Sequence, residues 1–235
     1  MVNMELDFIK GMFDTIAPKY DFLNRFLSAG QDVRWRTQMV SAAGLKNGSR
    51  ILDIACGTGD VALEIARQTR GKARIVGIDF SPGMLRLGQE KIYRQNKGEK
   101  IDLVAGNALA LPFRNGFFHA AFIAFGIRNI MDRHSALTAF GNVLEKGGRL
   151  AVLELTTPEH GFFRKVYMVY FKRILPLLGA FFSKNANAYE YLPASVMRFP
   201  EPPEFAALMT RAGFKKIKWK RMTFGIVTLF IGIKD

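Results

Sequence analysis

Leu52-Asp53-Ile54-Ala55-Cys56-Gly57-Thr58-Gly59-Asp60 is the stretch on which the fold turns. Arg50 to Ala55 reads as a buried strand, and it runs straight into a Gly-x-Gly turn. Such a turn lets the backbone approach a ligand where a Cβ would clash. Asp60 stands where a helix N-cap is expected, ahead of the apolar run Val61-Ala62-Leu63-Glu64-Ile65-Ala66. Downstream the same alternation repeats. Ala73 to Asp79 reads as a second strand, and Ser81-Pro82 opens a helix with Ser at the cap and Pro at the first helical position. Ile101 to Ala105 and Ala120 to Ala124 are the third and fourth strands. Asp132 to Leu144 is a helix that Gly147-Gly148 should end, and Arg149 to Leu155 is the fifth strand. Two more strands are expected near Lys215–Trp219 and Ile226–Ile233. The pattern predicts an α/β fold: a seven-stranded, mostly parallel sheet with helices on both faces and a helical insertion after the fifth strand.

The chain has 235 residues, which suits one domain. Within it, residues 1–45 are expected to form an N-terminal helical cap and residues 160–203 a helical substrate lid. The 34 Lys and Arg outnumber the 20 Asp and Glu, giving a net charge of +14. That favours an anionic partner such as nucleic acid, an anionic membrane surface or an acidic ligand, and says nothing about the fold. Cys56 is the only cysteine, so no internal disulfide or cysteine-rich zinc site can form. His119, His134 and His160 share no metal-ligand spacing, and no metal is expected. No apolar run approaches the roughly 20 residues that span a bilayer. Met1 to Asp7 is acidic and shows no leader-like run, which points to the cytoplasm.

Gly57-Thr58-Gly59-Asp60-Val61-Ala62 also fits a loose dinucleotide pattern. Three features argue against that reading. Asp53 lies four residues before the first glycine. Asp60 would put a carboxylate where a pyrophosphate needs an uncluttered helix N-terminus. Asn107-Ala108 after the third strand has the look of an adenine-binding turn. Asp-x-x-x-Gly-x-Gly, an acidic end to the second strand and a polar turn after the third together resemble the class I S-adenosylmethionine (SAM) methyltransferases. The resemblance implies that Asp53, Gly57, Thr58, Gly59, Asp79 with Phe80, Asn107 and Ala108 hold SAM. Asp79 would then accept the ribose hydroxyls. SAM is cationic, so carboxylates beside it make electrostatic sense. Cys56, inside this loop, reads as a small packing residue and not a nucleophile.

A narrower resemblance covers nearly the whole chain. Met12-Phe13-Asp14-Thr15-Ile16-Ala17-Pro18-Lys19-Tyr20-Asp21-Phe22-Leu23-Asn24, then Leu27-Ser28, Trp35-Arg36, Leu111-Pro112-Phe113 and Phe125-Gly126-Ile127-Arg128-Asn129 resemble the ubiquinone/menaquinone biosynthesis C-methyltransferases. This implies SAM-dependent C-methylation of a prenylated hydroquinone. Three positions depart from the family pattern: Asp32 replaces a usual His, Leu23 a frequent Met, and Ala124 a SAM-binding Ser of some ubiquinone-pathway members. The last favours demethylmenaquinol as substrate over a ubiquinone-pathway benzoquinol.

Arg128 is the expected catalytic residue. It follows the fourth strand at the carboxyl edge, where ligands bind, and a guanidinium can hold a phenolate but cannot act as a free base. Tyr20 is the second catalytic candidate, to orient or deprotonate a ring hydroxyl. Asp14 and Asn24 share a segment with it that could fold over the cofactor. His134 sits early in a polar helical pattern and reads as a solvated surface residue. In the insertion, Arg164, Lys165, Lys172 and Arg173 share one half of a helical wheel, and Phe163, Val166, Tyr170, Ile174 and Phe181 the other, with a break at Pro176. That suits peripheral contact with the inner face of an anionic membrane, a lid over a lipid tail, or a core helix with snorkelling cations. Residues 161–235 hold 13 basic and 4 acidic side chains.

Association into a homodimer is left open. A nucleic-acid methyltransferase is the first rival, but an adenine-N6 enzyme should carry Asn/Asp-Pro-Pro-aromatic where Ala124 to Asn129 stand, and a cytosine-C5 enzyme needs a thiol at its substrate. No nucleic-acid partner is expected. The second rival is a SAM-fold scaffold without activity, and no motif is visibly broken.

Overall fold

The computed structural model describes residues 2–159, 161–169 and 186–235. Its elements are α1 (Val2–Leu27), α2 (Gln31–Ala42), β1 (Arg50–Ile54), α3 (Asp60–Gln68), β2 (Arg74–Asp79), α4 (Pro82–Arg94), β3 (Ile101–Ala105), β4 (Phe118–Ala124), α5 (Arg133–Val143), β5 (Leu144–Leu155), α6 (Phe162–Val169), α7 (Ala186–Met197), α8 (Pro202–Arg211), β6 (Phe214–Met222) and β7 (Val227–Lys234). The sheet order is β3-β2-β1-β4-β5-β7-β6, with β7 antiparallel to both its neighbours and the other pairs parallel. The expected seven-stranded, mostly parallel sheet is therefore present. Strand order reverses between β1 and β4, which opens a crevice beyond the carboxyl ends of those strands.

Both faces of the sheet are covered, so the central strands are apolar on both sides. Ile51, Phe122 and Leu153 pack with Trp35 and Met39 of α2 and Val61 and Ile65 of α3. Leu52, Ile54, Ile123 and Val152 pack on the other face with Leu137 and Phe140 of α5 and Phe205 and Met209 of α8. No helix among the described residues is long and apolar enough to cross a membrane.

Two local expectations change, and a third is only partly covered. Asp60 is the first residue of α3 rather than its cap. Gly59, at φ 79°, takes the cap position and has no side chain to bond with, while the Asp60 carboxylate pairs with Arg36 and Lys91. Gly147-Gly148 does not end α5. The helix stops at Val143, and the glycines lie inside β5, where the pairing with β4 shifts register. A Cβ on Gly148 would lie 2.8 Å from the Glu145 carbonyl oxygen, so this irregular stretch requires glycine. The insertion's amphipathic wheel can be followed only through Phe163, Arg164, Lys165 and Val166; His160, Tyr170, Lys172, Arg173, Ile174, Pro176 and Phe181 lie outside the described residues. Ser81 does cap α4, accepting the Met84 N–H at 3.1 Å.

Candidate active site

Three loops meet at the carboxyl edge of β1, β2 and β3. The Cys56 N–H donates to the Ile78 carbonyl at 3.0 Å, and the Gly106 N–H to the Asp79 carbonyl at 2.9 Å. The Asp79 carboxylate joins the turns: Oδ2 accepts the Gly57 N–H at 2.8 Å and Oδ1 the Ser81 N–H at 2.9 Å. Burial raises its pKa against the pull of these backbone donors. Each oxygen keeps a lone pair for a further donor. Gly57 and Gly59 adopt φ of 54° and 79°, and even Ala55 is at 51°. Gly88 of α4 packs against the loop so tightly that a Cβ would meet the Thr58 carbonyl carbon at 3.2 Å.

Asp53 is buried at the end of β1. Its Oδ2 accepts the Ala62 N–H at 3.1 Å, while Oδ1 has no partner. Burial drives its pKa to about 8, only partly opposed by that hydrogen bond. Asn107 is exposed and makes a local turn through the Leu109 N–H, with Ala108 next to it. Phe80 meets Phe13 of α1 edge-on, at 6.5 Å between centroids. The Thr58 hydroxyl is engaged by neighbours: it donates to Asp21 at 2.6 Å and accepts from Lys91 at 3.0 Å. Burial raises the Cys56 thiol pKa well above its ordinary 9.0, which agrees with a packing role.

Helix α1 lies over these loops. Asp14 accepts the Ser81 hydroxyl at 2.5 Å and the Gly83 N–H at 3.2 Å, and Asp21 pairs with Lys91 at 2.5 Å. The Tyr20 ring passes 4.0 Å from where a Gly57 Cβ would sit. Tyr20 also lines a largely apolar cavity of about 430 Å³ beneath α1, so one side chain touches both compartments. Burial raises the Tyr20 pKa, against a hydrogen bond with Asn24 and the nearby charge of Arg128. At neutral pH this hydroxyl is therefore a donor and not a base.

Arg128 lines the same cavity. It sits on a single turn after β4, and its motif is built for close approach: a Cβ on Gly126 would lie 2.9 Å from the Ala55 Cβ, and Phe125 is held at φ 58°. Nη1 donates to the Phe125 carbonyl and to Glu154 Oε1 at 2.9 Å, and the Arg128 N–H donates to Glu154 Oε2 at 3.1 Å. Glu154 is fully buried and the Arg128 side chain is 9 % exposed, yet its Nε has no partner.

Sequence reasoning overlooked Glu154, which lies 26 residues downstream and meets Arg128 only through the β4–β5 register. It also overlooked the charge cluster behind the cavity. Arg36 pairs with Asp32 at 2.7 Å and Asp60 at 3.0 Å. Burial opposes the Arg36 charge, but the two carboxylates outweigh it and raise its pKa. Asp32 is buried, accepts the Ser28 hydroxyl at 3.0 Å, and lines the cavity. His134 is exposed. The His119 Nδ1 accepts the Arg50 N–H at 2.9 Å, far from this site in the fold's opposite, amino-terminal strand edge. No metal-binding cluster occurs among the described residues.

A model of the ubiE/COQ5 methyltransferase family matches residues 1–234. A ubiquinone/menaquinone biosynthesis C-methyltransferase from Geobacter sulfurreducens is 47 % identical over 226 residues, covering 96 % of this chain and 88 % of that one. A demethylmenaquinone methyltransferase from Thermus thermophilus is 47 % identical over 221 residues, covering 94 % and 99 %. A SAM-dependent methyltransferase structure from Thermotoga maritima superposes with a TM-score of 0.67 at 19 % identity, over 96 % of this chain and 99 % of that one. The chain belongs to the ubiE/COQ5 methyltransferase family, and its cofactor is SAM. The loops suit that cofactor: two buried carboxylates with no cation bonded to either, one with an unused oxygen, beside glycines that admit a ligand to the backbone.

Proposed function

We propose that this chain methylates a ring carbon of a prenylated hydroquinone, with demethylmenaquinol as its substrate. The observation that carries the reading is Arg128, anchored by the buried Glu154, on the wall of an apolar cavity that shares Tyr20 with the glycine loop. When bound, SAM supplies an electrophilic methyl group. Asp53, Asp79 with Phe80, the Gly57–Gly59 backbone including Thr58, Asn107 and Ala108 would hold it. Of Thr58, the backbone is the available part, because its hydroxyl is bonded to α1.

The ring carbon becomes nucleophilic as the neighbouring hydroxyl loses its proton. The Arg128 guanidinium then donates to the forming phenolate, a charge-assisted bond in a largely apolar cavity. Glu154 fixes the guanidinium, so the donor needs no reorganisation as charge develops. Tyr20 donates to a ring oxygen and keeps the ring against the glycine loop. Asp32 is the only carboxylate among the described residues lining the cavity; it takes the hydroxyl proton and passes it to solvent, and after methyl transfer the proton on the methylated carbon moves to the ring oxygen, restoring the aromatic quinol.

A prenyl tail dissolves in a bilayer, so the enzyme works at a membrane surface. The net charge of +14 and the exposed Lys215, Lys216, Lys218, Trp219 and Lys220 of β6 support peripheral docking on an anionic inner face. The test is incubation with labelled SAM and a panel of reduced prenyl quinones, followed by mass spectrometry of the lipid extract. Demethylmenaquinol should gain the mass of one CH₂ and the label. Turnover of a benzoquinol alone would move the substrate to the ubiquinone pathway, and label in no quinol would overturn the reading.

A further inference from the structure

We propose that Phe163 of α6 and Phe224 of the β6–β7 turn form an aromatic clamp on the isoprenoid tail where it leaves the cavity, so that tail recognition is separate from ring recognition. This rests on the prenyl-quinol reading above. The two rings stack at 4.4 Å between centroids and 7° between planes. Both side chains line the cavity and also reach solvent, at 49 % and 70 % exposure, which places them at its mouth. Val166, one helical turn from Phe163, lines the same opening and is half exposed. A cavity of about 430 Å³ lies in the lower part of the usual range for ligand sites, about 300–1,000 Å³. It suits an aromatic head and the beginning of a tail, and the remainder of a polyprenyl chain would pass out along this stacked pair and Val166.

The backbone gives a second, independent reason. Thr223, Phe224 and Gly225 hold φ of 45°, 57° and 88° in succession. Two non-glycine residues in the left-handed region, one of them β-branched, are strained, and such strain survives only where surroundings enforce it. Here they do. The Trp35 indole N–H donates to the Thr223 hydroxyl at 2.8 Å, the buried Thr156 hydroxyl donates to the Gly225 carbonyl at 2.8 Å, and the Ile226 N–H donates to the Thr223 carbonyl at 3.1 Å. The strain yields no core packing, since Phe224, at 70 % exposure, is the most exposed phenylalanine among the described residues. Its outcome is an aromatic ring held at the cavity mouth. Trp35 also meets Phe125 edge-on at 6.1 Å, three residues before Arg128, and so ties the clamp to the ring site at a fixed distance.

The experiment compares reduced naphthoquinols carrying no side chain, one isoprene unit and several units, using wild type, Phe163→Ala, Phe224→Ala and Phe224→Leu. In wild type, KM should fall as the first units are added. Each alanine variant should raise KM for the prenylated quinols at least ~10-fold, as loss of one buried aromatic contact implies, with kcat within about threefold. The KM of the tailless quinol should move less than about threefold, and Phe224→Leu should recover part of the loss. Thermal unfolding checks that each variant is folded. Equal KM changes for tailless and prenylated quinols, or no change for either, would overturn the clamp while leaving ring methylation intact. Failure of wild type to methylate any of the quinols would overturn both.

Discussion

Arg128 and Glu154 show at the residue scale how one group can be legible and its partner hidden. Arg128 stands in a motif right after a strand, at the edge where ligands bind. Glu154 looks like one more strand residue until β5 pairs with β4. Removing one member of a buried ion pair costs roughly 3–5 kcal/mol, so the conservative Glu154→Gln is the useful variant. It should lower kcat at least ~10-fold, because a misplaced donor loses transition-state stabilisation, while calorimetry shows SAM affinity within about threefold. An unchanged kcat would mean that Arg128 positions itself. Asp53 gives a pH prediction. Its folded pKa of about 8 lies above its ordinary 3.8, so the ligand-free protein holds a proton there that the unfolded chain releases. That contribution to stability is lost as pH rises toward 8. A cation binding beside it favours the carboxylate, so SAM should displace a proton. Its affinity should rise with pH up to about 8 and then level off. Titrations in buffers of different ionisation enthalpy will show whether the proton is released, and a pH-independent affinity would remove Asp53 from cofactor binding.

At the scale of the element, α1 is the part whose contacts the sequence displayed least. Met12 to Asn24 was recognisable as a segment, but its attachment was not, because Asp21 finds Thr58 and Lys91 across 37 and 70 positions. The same long-range charge pairing holds Asp60, for which the local sequence suggests a capping role. The glycine loop and the Ser81 cap were readable because their reasons are local: backbone φ and a side chain bonding three residues on. Since α1 lies across the loops proposed to hold SAM, we predict that it lifts as the cofactor enters or leaves. Lys91→Met removes its ion pairs to Asp21 and Asp60 together. SAM dissociation, followed by stopped flow, should accelerate roughly 5- to 30-fold, corresponding to about 1–2 kcal/mol, and α1 amides should exchange faster with deuterium. Equal dissociation rates would show that α1 is not the door.

For the whole molecule, strand alternation gave the sheet and its helical faces, as periodicity does when each face is buried. The cavity was harder to foresee. Its walls come from α1, α2, the β4–α5 turn, α6, α7 and the β6–β7 turn, and no short window of sequence contains it. The charge distribution is likewise a property of the entire surface. Vesicles containing anionic phospholipid should retain the protein at low salt and release it as ionic strength screens the lysines and arginines, whereas neutral vesicles should not retain it. Equal retention by both, unaffected by salt, would rule out electrostatic docking.

The measurement that reaches furthest is a paired one on Arg128→Ala: SAM affinity by calorimetry, and single-turnover methylation of demethylmenaquinol under saturating SAM. Affinity should stay within about threefold of wild type, while the rate falls at least ~10²-fold, as loss of an oxyanion donor does. A near-normal rate would contradict the account, because Arg36, the other cation among the described lining residues, is held between Asp32 and Asp60.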